Sequence, residues 1–139
     1  MSYEYRIVRE VEFSDTDMAG IMHFSNFFRF MEAAEHAFFR SLGLSIHPDD
    51  PNAVHWPRVH AGMDFSYPLR FEDSVEVQLL VREKRERSLV YSFIFRKVSG
   101  ELQREVAREH HDHGVRDVPE DVTDRRRGRE DADQARQRE

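Results

Sequence analysis

Three groups of side chains able to do chemistry stand close together near the start of this sequence: the acidic pair in Asp15-Thr16-Asp17, the loop histidine His23, and Glu32 with His36. A carboxylate just ahead of a helix can attack a carbonyl as a nucleophile or take a proton from water as a general base. It can also cap its own loop by accepting backbone N–H groups, and for Asp15 that structural reading is preferred. His23, in a loop beside a helix, is read first as a hydrogen-bonded residue. Glu32 and His36 sit four apart on one helical face, but no third ligand accompanies them, so no metal site is assigned. His110, His111 and His113 lie in a polar stretch without a framework, which allows adventitious metal binding at most.

The chain that must position these groups has 139 residues, enough for one core that hides about two-thirds of the surface its unfolded form exposes. It has no cysteine, which excludes disulfides, thiolate metal sites and a cysteine nucleophile and fits a reducing cytoplasm. The N-terminal stretch MSYEYRIVREVEF is charged throughout and lacks the apolar run of a signal peptide. No stretch approaches the roughly 18 apolar residues of a membrane span. The expectation is a soluble, unprocessed, cytoplasmic protein. A formal net charge of −6 argues against nucleic acid as a partner, because phosphate binding needs a concentrated positive surface.

Periodicity supplies the elements. Tyr5, Ile7, Val11 and Phe13 alternate with polar residues, with a slip around Val8 to Glu10, and predict a half-buried strand. After a polar loop, Ser25 can cap a helix whose apolar positions Phe27, Phe30, Met31, Ala34, Phe38 and Leu42 recur at three- and four-residue spacing; Gly43 is placed to end it. Phe24, Phe28 and Phe39 widen that stripe, so the helix is expected to be wrapped by other structure. Residues 46–57 read as a proline-rich loop. Strands are predicted over Val59–Tyr67, loosely, over Ser74–Arg82 with Val75, Val77, Leu79 and Val81 on one face, and over Leu89–Val98 with Leu89, Tyr91, Phe93 and Phe95 on one face. Strand, long helix, then a run of strands is α+β, an antiparallel sheet against one buried helix.

On these residues the chain resembles a known family. FSDTDMAGIMHFSNFFRFME is similar to the loop and helix start of the 4-hydroxybenzoyl-CoA thioesterase family, and PRVHAGMDFSYPLRFEDSVEVQLLVREKRERSLVYSFIFRK resembles that family's following strands. The resemblance covers about residues 5–98. It implies a hotdog fold, an antiparallel sheet wrapped around a long central helix. It places Asp17 at the catalytic position and an oxyanion-binding backbone donor around His23 and Phe24. Beside it, the residues themselves offer substrate contacts: Gly20 lets the main chain approach the acyl group closely, next to Ile21, and among helix phenylalanines that are core residues first, Phe24 and Phe27 are the candidates to line an acyl pocket. The resemblance implies coenzyme A contacts at Arg85, Arg87 and Ser88, in a hairpin that also carries Arg82 and Lys84 and for which a solvated turn is the alternative reading. A homodimer or homotetramer is implied, with no cofactor beyond the coenzyme A of the substrate.

The chemistry agrees. A thioester carbonyl is electrophilic and its thiol leaving group has a pKa of about 8.5, so one carboxylate and one carbonyl-polarising donor suffice, without a metal. The leading expectation is therefore an acyl-CoA thioesterase that yields free acid and coenzyme A, with Asp17 as nucleophile or general base. A non-catalytic acyl-thioester binding or scaffold protein is the rival. A hotdog dehydratase ranks third, since no histidine in this loop pairs with an acid on the helix.

Composition changes near Gly100. All sixteen aromatic residues lie at or before Phe95, and about half of residues 101–139 are Asp, Glu or Arg. The chain accordingly divides into a hotdog domain at 1–100 and an atypical charged segment at 101–139, which does not read as the family's last strand. Two readings of that segment stand: a change of reading frame shortly after Gly100, or a natural divergent, disordered tail.

Overall fold

The long helix α1, Phe24–Ser41, buries one face made of Phe27, Phe30, Met31, Ala34 and Phe38, the three- and four-residue stripe seen in the sequence. Its N-cap is His23, whose Nδ1 accepts the Ser25 N–H at 3.3 Å. The helix thus starts earlier than a Ser25 cap would allow, because an imidazole nitrogen serves as the capping acceptor. At the other end Gly43 takes φ +73, and Gly43 N–H and Leu44 N–H return to the carbonyls of Arg40 and Phe39, both at 3.0 Å. Glycine adopts this left-handed stop without a Cβ penalty. Leu42 lies on this turn and is exposed, not part of the stripe. The computed structural model describes residues 4–47, 49–51, 53, 57–86, 88–100, 102–108 and 113–116.

The helix packs on β1 (Glu4–Glu10) and β3 (Ser74–Lys84) of an antiparallel sheet that also holds β2 (Asp64–Phe65), β4 (Ser88–Ser99), β5 (Leu102–Arg108) and β6 (His113–Arg116). The strand order is β1-β3-β4-β5-β2, with β6 paired to β4. Val75, Val77 and Leu79 of β3 and Leu89, Tyr91, Phe93 and Phe95 of β4 point into one core with the helix stripe. This is the hotdog arrangement.

Three further expectations change. Phe13 is exposed, because the chain leaves β1 at Glu10 and turns through a short 3-10 helix at Phe13–Asp15. Only Asp64–Phe65 of the loosely alternating 59–67 segment forms a strand. The segment after Gly100 supplies β5, and Gly100 (φ +61) lies between β4 and β5 instead of ending the sheet. The physical reason is a β-bulge. Phe95 faces Ala107 while Arg96 faces Glu105, so Val106 is the extra residue, and both Val106 and Ala107 are buried. A strand that needs only two adjacent apolar residues shows no alternation. Residues 117–139 lie outside the described residues.

Candidate active site

The loop between the 3-10 helix and α1 is a tight hairpin. Thr16 bridges Met22, Asp17 N–H donates to the Ile21 carbonyl at 2.9 Å, and Gly20 N–H donates to the Asp17 carbonyl at 3.0 Å. Asp17 Oδ1 accepts the Ala19 N–H at 2.8 Å, which fixes the carboxylate's orientation and leaves Oδ2 without a partner among the described residues. Gly20 has φ +78, and a Cβ there would meet only Arg70, at 3.9 Å. The glycine is therefore required by backbone conformation. It sits at the turn, beside Ile21, and is not among the residues that line the cleft.

Beneath the hairpin, Asp15 is buried and structural. Its Oδ2 accepts the Glu12 N–H at 2.9 Å, and its carbonyl accepts both the His23 N–H at 2.9 Å and Asn26 Nδ2 at 2.8 Å. Of the first N–H groups at the start of α1, His23's is occupied by Asp15, Ser25's by the His23 ring, and Asn26's by the His23 carbonyl at 3.0 Å. Phe24 N–H has no acceptor among the described residues. Of the two positions expected to supply an oxyanion donor, Phe24 offers an open N–H at the positive end of the helix and His23 does not. The His23 side chain is engaged as well, with Nδ1 at 2.7 Å from Ser25 Oγ.

Asp17, Ile21, Phe24 and Phe27 line one cleft of about 500 Å³. Met22, Phe65 and the Ser66–Pro68 segment complete its walls. The structure thus brings together four of the residues singled out in the sequence. It does not bring Arg85 and Ser88 to that cleft. Arg85 forms a two-pronged pair with Glu83 at 2.7 and 2.9 Å, its N–H donates to the Ser88 carbonyl at 2.9 Å, and Ser88 is buried at the hairpin. Arg87 lies outside the described residues. Phe65 and Asn26 were not anticipated; Phe65 falls in a segment with weak alternation, and a buried asparagine at a helix start has no periodic signature.

Farther along α1, buried Glu35 accepts from Arg58 Nη2 at 2.8 Å. Burial pushes the Glu35 carboxyl above its ordinary range, and the Arg58 charge opposes this without cancelling it. Burial also raises the Tyr91 hydroxyl well above the ordinary tyrosine value, with the Glu35 charge adding to it. Glu32 and His36 approach to 3.5 Å on the same helix. No described helix is long and apolar enough to cross a membrane.

A relative from Aquifex aeolicus is 33% identical over 94 residues, which make up 68% of this chain and 72% of that one. A 1,4-dihydroxy-2-naphthoyl-CoA hydrolase of Synechococcus elongatus is 31% identical over 78 residues, 55% of this chain. The chain spans little more than half of that hydrolase, 57% of its length. Among solved structures, a 1,4-dihydroxy-2-naphthoyl-CoA thioesterase from Synechocystis superposes with a TM-score of 0.70 at 25% identity, covering 85% of each chain. A gentisyl-coenzyme A thioesterase superposes with a TM-score of 0.68 at 29% identity, covering 85% of this chain and 95% of that one. Residues 11–127 match the thioesterase-like superfamily, and with the helix-wrapped sheet described above this chain belongs to that family of hotdog-fold thioester hydrolases.

Proposed function

We propose that the protein hydrolyses an acyl-CoA to free acid and coenzyme A, with Asp17 as the reacting carboxylate and Phe24 N–H as the carbonyl-polarising donor. The observation that carries this is the cleft shared by Asp17 and the open first turn of α1. As a general base, Asp17 takes a proton from water while the water oxygen bonds to the thioester carbon; the C–S bond then breaks and the thiolate leaves. As a nucleophile, the carboxylate oxygen bonds to that carbon and expels the thiolate, and water hydrolyses the resulting mixed anhydride. Either route places negative charge on the carbonyl oxygen, and losing one preorganised donor typically slows such a step about 10²- to 10³-fold.

The coenzyme A reading draws on the relatives that act on such thioesters, and the Arg82–Ser88 hairpin remains its candidate docking region. Two exposed phenylalanines packed edge to face, Phe13 and Phe71 at 5.9 Å, support a homo-oligomer, and the absence of cysteine supports a cytoplasmic setting. Thiol release from a panel of acyl-CoAs tests the reading. Turnover of at least one member is expected; tight acyl-CoA binding with no release would instead identify a binding or scaffold protein.

A further inference from the structure

Phe65 was assigned no role by sequence, and its placement gives it one. Its ring meets Phe27 edge-on at 5.0 Å and 72°, and Phe24 at 6.4 Å and 70°. Phe27 in turn meets Phe95 at 5.4 Å in the core, so Phe65 is the outer end of a chain of rings anchored in the protein interior. Phe24 and Phe65 stay substantially exposed, on two different elements, and both line the Asp17 cleft. The backbone that carries Phe65 is held firmly. It pairs with Ala107 of β5, and the next two N–H groups, of Ser66 and Tyr67, both donate to the Val106 carbonyl at 2.8 and 3.2 Å. The Arg104 guanidinium lies 3.8 Å from the centre of the Tyr67 ring. An exposed aromatic ring on so short and so well-tied a strand is a fixed wall.

We propose that Phe65 is a specificity-determining residue whose ring sets the size of the acyl group the cleft accepts. This rests on the thioesterase reading for the identity of the ligand. The mechanism is steric and apolar: one methylene in an apolar pocket is worth about 10- to 200-fold in discrimination. The experiment compares a short with a long acyl chain in two formats. One is kcat/KM with the acyl-CoAs; the other is the affinity of non-hydrolysable acyl-CoA thioethers for the Asp17→Asn protein. Phe65→Ala is expected to shift the long-to-short ratio upward by tenfold or more in both formats, and Phe65→Trp to shift it downward. Ratios within twofold of wild type for both variants, with folding intact, overturn the proposal. Absence of turnover with every acyl-CoA would count against the enzyme reading alone, because the thioether ratio still reports on Phe65.

A second observation is independent of the site. β6 pairs with Ser88–Tyr91 of β4, and since β3 already faces Leu89–Tyr91 on the other side, β6 occupies the same edge as β5. Leu89, Val90 and Tyr91 are buried there, yet their partner strand reads His-Gly-Val-Arg, with a glycine and a cation in a place that favours β-branched residues. The genetic code ties the residues at 109–114, EHHDHG, to the codons GAR CAY CAY GAY CAY GGN. Read one base forward, the codons bridging His110–His111, His111–Asp112, Asp112–His113 and His113–Gly114 specify, in order, isoleucine or threonine, methionine or threonine, isoleucine or threonine, and methionine or threonine. Read two bases forward, the same four bridging codons give serine or proline, arginine or a stop, serine or proline, and tryptophan or arginine.

We infer that the continuation of β5 is encoded one base forward of the present frame, and that the frame changes close to Arg108. The coding DNA tests this beyond His113, where the code leaves the outcome open. An open forward frame with alternating apolar residues is expected, and the chain built from it should unfold at a higher temperature than the present one. A stop codon within the next few positions, or a re-framed chain no more stable than this one, overturns the inference.

Discussion

Asn26 Nδ2 and His23 N–H converge on a single acceptor, the carbonyl of Asp15, at 2.8 and 2.9 Å. This buried junction joins the aspartate loop to the first turn of α1, so the carboxylate of Asp17 and the N–H of Phe24 are held by one rigid unit. Asn26→Ala removes a buried donor and leaves the carbonyl with one partner. A loss of about 1–3 kcal/mol in unfolding free energy is expected by urea denaturation. kcat should fall with it at saturating substrate, because the reacting groups lose their mutual placement. A stable variant with unchanged kcat would separate the junction from the chemistry.

Gly20 offers a cleaner perturbation of the same loop. Its φ of +78 is unfavourable for any residue with a Cβ, while the surrounding space is open. Gly20→Ala should destabilise by about 1–2 kcal/mol and Gly20→Asn by less, since asparagine tolerates this backbone region. Equal losses in urea midpoint for both would mean that side-chain contact, and not conformation, sets the requirement.

Much of the fold was legible because the helix stripe and the inward faces of β3 and β4 repeat at the periods that burial imposes. Val75, Val77, Leu79 and Leu89, Tyr91, Phe93, Phe95 lie where alternation puts them. β5 was not legible: a bulge lets Val106 and Ala107 both enter the core, which erases the period of two. In the site, Asp17, Ile21, Phe24 and Phe27 came from local motif and resemblance, and they do share a cleft. Phe65 reaches that cleft only through pairing with a strand some forty residues later, information no local window contains. The cap moved from Ser25 to His23 because only the folded loop shows which side chain faces the open N–H groups.

Glu35 gives the protein a pH-dependent stability. Its folded pKa lies above the ordinary carboxylate value of 4.5, so the folded state binds this proton more tightly than the unfolded chain. The corresponding stability is full below 4.5 and is lost as pH rises through the raised value. Thermal unfolding from pH 4 to 8 should show a decline in Tm over that window that Glu35→Gln lacks. A Glu35-dependent rise with pH would mean that the Arg58 pair outweighs burial.

Tyr91 carries a hydroxyl that is buried with no hydrogen-bond partner among the described residues. Removing an unsatisfied buried polar group avoids its desolvation penalty, commonly about 1–3 kcal/mol. Tyr91→Phe is therefore expected to keep or raise Tm, which differential scanning calorimetry checks. A clear drop would reveal a partner for the hydroxyl.

Asp17→Asn tests the central claim most directly, because asparagine keeps the side-chain oxygen that accepts the Ala19 N–H while removing the charge. The measurement is thiol release under saturating acyl-CoA, with Tm and acyl-CoA affinity recorded on the same protein. The account predicts a fall in kcat of about 10³-fold or more with folding and binding retained, which is roughly 4 kcal/mol of lost transition-state stabilisation. Turnover within tenfold of wild type would contradict it and place the reacting group elsewhere.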